Sequence, residues 1–255
     1  MGPGQAPLSP LDVLEAAAEA GVYLLTAGGE VSRVEDTMIR IGIGLGLESV
    51  EAAVFPTALL LSTPGATLMR RIRQRSVNLA VVARVNQLSR DLAEHRMDLG
   101  SFRQQLAMAP SLRPYADWQT VLIAALAGGL LCLLVGGRWY DFFPAMAAGA
   151  LAQLVRQRPG LLSGSLKDFL AAGAAVVPGL AAAQWPLFHP GTIIVGGIMV
   201  LVPGMAMTSA IRDGIAGDVV SAVSRMLEAL LTAAAVAAGV ALPLNFYLAM
   251  GGRWP

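Results

Sequence analysis

Five long apolar stretches in the second half of the chain restrict what this sequence can fold into. They cover residues 120–135, 142–155, 169–185, 191–207 and 227–247. A helix rises about 1.5 Å per residue, so a stretch of about 20 residues crosses the hydrocarbon core of a bilayer. Backbone polar groups find no water there, and a helix satisfies them internally. The sequence therefore predicts a mainly α, polytopic membrane protein with about five transmembrane helices.

Charged residues divide the chain near residue 115. Residues 1–113 hold 11 arginines and 11 acidic residues, whereas the remaining 142 residues hold only seven basic and six acidic ones. A hydrophobic content of 55% with 14% charged residues is too apolar for one water-soluble globule. We therefore expect a charge-rich head domain at 1–115 and a transmembrane domain at 116–255. The net charge of +1 gives no long-range attraction to nucleic acid.

Local signals in the head predict a small α+β domain. Ser9 and Pro10 are typical of a helix start, and Ser32 with Glu35 matches a capping box that opens a second helix. Pro64 and Gly65 predict a turn between two strands. The predicted helices are 10–25, 32–46, 78–94 and 98–108, and the predicted strands are 50–55, 59–62 and 67–73.

The positions of arginine and lysine indicate the orientation in the membrane. The segment after the second stretch holds Arg156, Arg158 and Lys167, and the segment after the fourth holds Arg212 and Arg225. Basic residues are enriched in cytoplasmic loops. The first 27 residues hold three acids and no basic residue, so we expect no cleaved signal peptide. The chain is therefore expected to be a multi-pass protein of the cell membrane with a cytoplasmic N-terminus.

Two Pro-Gly pairs, Pro178-Gly179 and Pro203-Gly204, lie inside apolar stretches. Proline removes a backbone hydrogen bond and glycine removes side-chain cover, so a broken helix could present backbone polar groups to a small-molecule substrate. The alternative is an ordinary kinked helix, because both residues are frequent in membrane helices. Five helices are few to enclose such a path, so we expect a companion subunit or a homo-oligomer.

A polar series follows the second pair. Ionisable groups beside hydrocarbon usually face a cavity or a partner, which makes them candidates for binding a zwitterion or carrying protons. Arg212 and Glu228 are the first to test, since Glu228 begins an apolar stretch. The alternative is a solvated cytoplasmic turn. The candidates are Thr208, Ser209, Arg212, Asp213, Asp218 and Glu228.

Two charged groups in the head are further candidates. The first surrounds a predicted helix start, where acids also suit the helix dipole, and consists of Glu30, Arg33, Glu35 and Asp36. The second is a basic run of Arg70, Arg71, Arg73 and Arg75. This run could meet lipid headgroups, a partner or a carboxylate, although a solvated face paired with acids is the simpler interpretation. No aromatic residues interleave with it, so RNA binding is not expected.

The sequence contains no pattern for a metal or a cofactor. Cys132 is the single cysteine, and His95 and His189 lack the spacing of metal ligands. Walker A, G-x-S-x-G and H-E-x-x-H patterns are missing as well. We therefore expect neither a cofactor nor an enzyme. The alternatives that stay open are a membrane-anchored hydrolase using the head acids and a regulatory scaffold.

Four motifs carry a resemblance to a known family. Residues 28–37 read GGEVSRVEDT, residues 71–79 read RIRQRSVNL and include Asn78, and residues 85–90 read VNQLSR. Leu-Val-Pro-Gly at 201–204 leads to Ile-Arg-Asp at 211–213 and Gly-Asp at 217–218. Together these motifs resemble the threonine/serine exporter family over nearly the whole chain. Gly29 departs from the family pattern, in which alanine is expected.

The resemblance implies a function in export. Members of that family include fused proteins of about ten spans and split systems, in which a larger, head-bearing subunit pairs with a small multi-span membrane subunit. This chain looks like the larger subunit. The resemblance implies efflux of threonine, serine or a related small acid, driven by the proton motive force. It leaves threonine, serine and dicarboxylates open as substrates.

Overall fold

The computed structural model describes residues 8–72, 76–158 and 164–252. Its contacts divide the chain into two compact units. The first unit comprises Met1–Pro114 together with Ser209–Ser224, and the second comprises Tyr115–Thr208 together with Arg225–Pro255. Arg73 and Arg75 of the predicted head motif lie outside the described residues.

The first unit begins with two packed helices, α1 (Pro10–Thr26) and α2 (Val31–Gly44). The predicted start of α1 is confirmed, because the backbone N–H of Asp12 donates to the Ser9 hydroxyl oxygen at 3.2 Å. Gly21 permits the contact with α2, since a Cβ at this position would overlap the side chain of Met38. A small residue thus lets the two helices approach closely.

A three-stranded antiparallel sheet follows, in the order β1 (Glu51–Phe55), β2 (Ala58–Thr63) and β3 (Ala66–Arg71). Both connections are two-residue turns, and Gly65 in the second has a φ of 88°, which glycine adopts without strain. The predicted strands and the predicted turn are confirmed within the described residues. Their register pairs Leu59 with Val54 on one side and with Arg70 on the other.

Helices α3 (Leu79–Ala93) and α4 (Leu99–Met108) complete this part of the chain, and a single 3-10 turn follows at Ala109–Ser111. Large apolar side chains from the helices and the sheet form one core. Burial of each contributes about 1.5–3 kcal/mol relative to exposure. The largest fully buried ones include Leu14, Met38, Leu59, Leu88 and Phe102.

The rest of the chain is helical. The helices are α5 (Asp117–Leu134), α6 (Phe142–Gln157), α7 (Gly164–Ala182), α8 (Pro190–Ile198), α9 (Gly204–Ile215) and α10 (Val219–Ala249), with a 3-10 turn at Met199–Leu201 between α8 and α9. The second unit is held together by small residues. A Cβ on Gly149 of α6 would strike the carbonyl oxygen of Ala124 in α5, and one on Gly239 of α10 would strike that of Phe169 in α7. Such close backbone contacts are typical of helix packing in membranes.

Large apolar side chains point away from this unit. Leu130 and Leu134 on α5 are exposed, as are Leu227, Leu242 and Phe246 on α10. The interior is lined instead mainly by small residues, above all alanine. Apolar residues outside and small residues inside are what a helix bundle surrounded by lipid requires.

Three helices within the described residues are long and apolar enough to cross a membrane, namely Asp117–Leu134, Gly164–Ala182 and Val219–Ala249. A fourth span is formed if Pro190–Leu201 and Gly204–Ile215, which meet at a bend of 53°, are counted together. Three to four of the five predicted spans are thus confirmed as helices of sufficient length. Helix α6 has 16 residues, so its crossing, the fifth predicted one, stays a prediction.

Candidate functional site

The chain is broken between α8 and α9, at the second Pro-Gly pair. Helix α8 tightens into the 3-10 turn Met199–Leu201, Val202 is extended with φ −62° and ψ 128°, and α9 begins at Gly204. Proline drives the preceding residue out of the helical region and cannot donate a backbone hydrogen bond. The predicted broken helix is therefore confirmed at Pro203. Among the described residues, nothing lies within 4 Å of the Cβ position of Gly204, so the break is open on that side.

The first Pro-Gly pair behaves differently. Helix α7 continues through Pro178 to Ala182. A Cβ on Gly179 would overlap the Ile194 side chain and come within 3.2 Å of the carbonyl oxygen of Pro190. The structure at Pro178 and Gly179 therefore fits the alternative, a helix that continues through a proline, and not a broken helix. The glycine permits close packing of α7 against α8.

Two hydroxyl residues follow the break on α9. The Thr208 hydroxyl is exposed and donates to the carbonyl oxygens of Gly204 and Met205, at 3.0 and 3.1 Å. Its lone pairs stay available to a ligand, because a hydroxyl is both donor and acceptor. Ser209, the next residue, is half-buried.

The last turn of α9 meets the start of α2 through one carboxylate. The guanidinium of Arg212 donates to Glu30 Oε1, and Arg33 Nε lies 3.3 Å from Glu30 Oε2. The Glu30 side chain is only 16% exposed, whereas those of Arg33 and Arg212 are 69% and 64% exposed. Two accessible guanidiniums therefore bracket one sheltered carboxylate. The sequence did not predict this pairing between the head and the polar series.

Glu35 has a different role from the predicted one. The residue that precedes α2 is Glu30, which makes no side-chain cap, so the capping box of Ser32 and Glu35 is not formed. Instead, Glu35 Oε1 accepts a hydrogen bond from the backbone N–H of Val54 at 2.9 Å, which ties α2 to β1. The prediction rested on local spacing, and a tertiary contact replaced it.

The environment of Glu35 also affects its ionisation. Burial raises the pKa of Glu35 above its usual value, and the neighbouring charges of Asp218 and Asp36 raise it further. The hydrogen bond from Val54 acts in the opposite direction and lowers the pKa. The charge of Asp218, a residue of the polar series, thus acts on Glu35 of the head.

Two acids lie at the turn between α9 and α10. Asp213 is 2% exposed, and its carbonyl oxygen accepts the backbone N–H of Asp218 at 2.9 Å. The Asp218 carboxylate accepts the N–H of Ser221 at 3.3 Å and so caps the start of α10, while Ser221 is 1% exposed. The alternative interpretation of the polar series, a solvated turn, agrees with the exposed Arg212 but not with the buried Asp213. Glu228 is exposed on α10 and belongs to the other unit.

The remaining head candidates are separate from this cluster. Asn78 accepts the N–H groups of Ala80 and Val81 and donates to the carbonyl oxygen of Leu112 at 2.9 Å, which makes it a helix cap. Asp36 and Arg71 are exposed. Arg70, in the basic run, lies 3.8 Å from Glu15, as expected of a solvated face.

Two buried acids were missed in the sequence. Asp141 is fully buried before α6, and Asp168 is 6% exposed in α7, where its carboxylate lies 3.2 Å from the Arg156 guanidinium. Both acids border an apolar stretch, and a lone acid in that position is itself a signal of function or pairing. The described residues hold no group of three or more His, Cys, Asp or Glu side chains that could bind a metal.

Comparison with known proteins supplies the family of the chain. The profile of the putative threonine/serine exporter family matches residues 15–247. The probable succinate transporter subunit YjjP of Escherichia coli is 27% identical over 239 residues, which cover 90% of this chain and 92% of that protein. No solved structure matches.

Two further relatives are longer. The threonine/serine exporter of Corynebacterium glutamicum is 25% identical over 95% of this chain and 55% of that protein. The probable threonine/serine exporter of Mycobacterium tuberculosis is 23% identical over 91% of this chain and 46% of that protein. These are names of transporters rather than enzymes, and the profile covers most of the chain. The chain therefore belongs to the threonine/serine exporter family.

Proposed function

We propose that this chain is the head-bearing subunit of a split exporter that moves small carboxylates, either threonine and serine or a dicarboxylate, at the expense of the proton motive force. Membership of an exporter family and three to four apolar spans support export across a membrane. The split arrangement is supported by the relative from Escherichia coli, which is named a transporter subunit and is covered over 92% of its length.

The substrate proposal rests on two ion pairs, in which Arg33 and Arg212 each contact one oxygen of the Glu30 carboxylate. We call this arrangement the bracket. Guanidinium groups bind carboxylates through charge-assisted hydrogen bonds, and both guanidiniums here are largely accessible. Threonine, serine and dicarboxylates share a carboxylate. In the proposal, Glu30 occupies the place of the substrate carboxylate, and the substrate displaces it.

The break at Pro203 supports a substrate path that follows α9. Arg212 lies two turns after Gly204 on α9, and the exposed Thr208 lies between them. Broken helices in transporters offer helix N-termini and free backbone groups to substrates. We assign five residues at the start of α9 and along it to the path, namely Pro203, Gly204, Thr208, Ser209 and Arg212. Asp213 and Asp218 stabilise the turn between α9 and α10.

A partner subunit and the orientation belong to the same proposal. Three to four spans are few for a closed path, and one relative is named a subunit. We therefore infer a small multi-span companion in the cell membrane. A cytoplasmic head is supported by three basic residues where α6 ends and α7 begins, because basic residues are enriched on the cytoplasmic side. They are Arg156 in the last turn of α6, Arg158 just after it and Lys167 in the first turn of α7.

Transport in proteoliposomes tests the proposal. The chain, alone and with a co-purified small membrane subunit, should move radiolabelled succinate, threonine or serine under an imposed pH gradient, but not the alcohol analogue of threonine, which lacks the carboxylate. Arg212→Ala should lower the flux by about tenfold or more, the typical value of a charge-assisted hydrogen bond.

The matched control is Arg84→Ala, which removes an arginine that donates to Gln105 elsewhere in the head. Its flux should equal that of the wild type. Equal flux for Arg212→Ala, or equal transport of the alcohol analogue, would remove the carboxylate site from the proposal. Absence of flux for all three substrates would contradict the export of these acids.

A further inference from the structure

A fully buried carboxylate lies at the end of the α5–α6 turn. Asp141 is 0% exposed and accepts two backbone hydrogen bonds, from the N–H of Arg138 at 2.8 Å and from the N–H of His189 at 2.9 Å. Its Oδ2 also lies 3.0 Å from Nδ1 of His189. An ionised carboxylate needs such partners when it is taken out of water, and here a histidine supplies two of the three.

These bonds join three separate elements of the second unit. His189 is the residue that precedes α8, and Asp141 precedes α6. Cys132, near the end of α5, points its thiol at the carbonyl oxygen of Asp141 at 3.9 Å and is fully buried. Helix α8 leads directly to the break at Pro203. The contact between His189 and Asp141 therefore fixes the start of the broken span.

The chemistry of the pair makes this contact sensitive to protons. A carboxylate can only accept, so Nδ1 carries the hydrogen that faces Asp141, and Nε2 is the nitrogen that takes up a further proton. The His189 side chain is 43% exposed, so water reaches it, whereas Asp141 is sealed. Histidine is the side chain that changes charge near neutral pH. Protonation of the imidazole turns its hydrogen bond to the carboxylate into an ion pair with both partners charged, which strengthens the contact.

Other charged and titratable groups surround the pair. The guanidinium of Arg138 donates to the Tyr140 hydroxyl at 2.6 Å and so lies on the turn itself. The Tyr140 ring packs edge to face on Phe188, beside His189. From α5 the facing group is the Cys132 thiol, and from α8 it is the hydroxyl of Thr192, which donates to the carbonyl oxygen of His189 at 2.9 Å. The guanidinium of Arg138 donates to a phenol and its positive charge also acts on Asp141, so Arg138 is a fixed cation near the carboxylate and His189 is the group whose charge can change.

We propose that His189 and Asp141 form a proton-binding latch. The protonated imidazole holds the start of α8 against the α5–α6 turn, and loss of the proton loosens α8 and, through it, the break at Pro203. The latch lies at the C-terminal end of α5, opposite the end that begins at Asp117. In the predicted orientation this end faces outside, where the proton enters. The coupling to export rests on the proposed function, whereas the latch itself does not.

The single cysteine of the chain provides a direct probe. Cys132 is fully buried beside Asp141 and packs against Gly137 and Gly196, so in the proposal a maleimide reaches it when the latch opens and α8 loosens. The rate is measured on the full chain in detergent and divided by the rate of the unfolded chain at the same pH, which removes the pH dependence of the thiol itself. From about pH 5.5 to about pH 8 this ratio should rise about tenfold, because the ion pair becomes a hydrogen bond from an uncharged imidazole.

Two variants at matched positions decide the origin of the effect. His189→Gln keeps a side-chain donor for Asp141 but cannot take up a proton, so its ratio should not change with pH. His95→Gln removes the other histidine of the chain, in the head, and should keep the wild-type rise. A flat wild-type ratio, or a rise that persists in His189→Gln, overturns the latch.

A second measurement covers the case in which the thiol stays unreactive. Hydrogen exchange of the peptides that contain the Arg138 and His189 amides reports the same opening, because both amides donate to Asp141. After correction for intrinsic rates, their protection should fall as the pH rises in the wild type and stay constant in His189→Gln. Constant protection in the wild type overturns the latch.

A transport measurement separates the latch from the proposed function. In proteoliposomes with the same pH difference across the membrane in every sample, His189→Gln should still move substrate, but its flux should no longer change with the absolute external pH. If the wild type exports and the thiol ratio is flat, the latch is wrong and the exporter stands. If the ratio responds to pH but no substrate moves, the latch stands and the proposed export of these acids fails.

Discussion

Arg212 donates to the carboxylate of Glu30, a residue 182 positions earlier in the chain. This contact joins the last turn of α9, which follows the broken span, to the first residue before α2 in the head. Arg33 holds the other oxygen of the same carboxylate. A substrate carboxylate that enters this bracket must displace Glu30, so the affinity for substrate depends on how strongly Glu30 is held.

Replacing Glu30 tests this competition. In Glu30→Gln the two guanidiniums lose their internal anion, and we expect KM for the transported acid to fall about threefold to tenfold, the value of about one charge-assisted bond. The measurement is initial flux in proteoliposomes at a series of substrate concentrations. Glu51→Gln, at an exposed position of β1, is the control and should leave KM unchanged. An unchanged or higher KM in Glu30→Gln would show that Glu30 does not compete with substrate.

Glu35 predicts a specific dependence of stability on pH. Burial and the charge of Asp218 raise its pKa above the usual value of 4.5, so the folded chain binds this proton more tightly than the unfolded chain. The contribution of Glu35 to stability therefore falls as the pH rises from about 4.5 through its folded pKa, and the ionised form is the less stable one.

Glu35→Gln removes the titration but keeps an oxygen for the Val54 N–H. We expect the midpoint of thermal unfolding in detergent to be higher than that of the wild type at neutral pH, and the difference to shrink toward pH 4.5. Glu48→Gln, at an exposed position, should show neither effect. A difference that grows as the pH falls would have the opposite sign and would contradict the burial of Glu35.

The helix contacts of the second unit predict a contrast between two glycines. Gly149→Ala places a methyl group against the Ala124 carbonyl oxygen and should destabilise the chain by about 1–3 kcal/mol through overpacking. Gly164→Ala, at the start of α7, meets none of the described residues within 4 Å and should be neutral or slightly stabilising. Unfolding in detergent measures both variants, and equal midpoints would show that α5 and α6 are not packed this closely.

Most of the helices and strands of the head could be predicted because their signals lie close together in the sequence. The hydroxyl of Ser9, the amide of Asn78 and the carboxylate of Asp98 each cap the helix that follows them, and these contacts span at most three residues. Glu35 has the same local pattern, but the edge of β1 lies within its reach and binds it instead. Local spacing predicts a cap only where no tertiary partner competes.

The candidate site could be predicted only in part for the same reason. The sequence marks Arg212 as a charge next to an apolar stretch, yet its partner Glu30 is distant in the chain and no spacing rule connects the two. Asp141 is similar, since its bonds to His189 cross 48 residues. The residue types were visible in the sequence, whereas the pairs depend on how the helices pack.

The two Pro-Gly pairs give the sharpest test of the broken span, because they share a sequence pattern and differ in structure. Pro203 follows an extended Val202 and precedes α9 at a bend of 53°, whereas Pro178 lies inside a continuous α7. Pro203→Ala restores an N–H and relieves the restriction on Val202, so α8 and α9 can join into one helix.

We expect Pro203→Ala to lower flux by about tenfold or more. In a continuous helix the backbone groups at the break and at the N-terminus of α9 would bond within the helix, so the proposed path would lose them. Pro178→Ala is the control, and its flux should stay within about twofold of the wild type, since α7 is already helical at this position. Both variants should reach the membrane in equal amounts, measured by immunoblot. If Pro203→Ala transports as well as Pro178→Ala, the bend is a packing feature of this helix pair and the path must lie elsewhere.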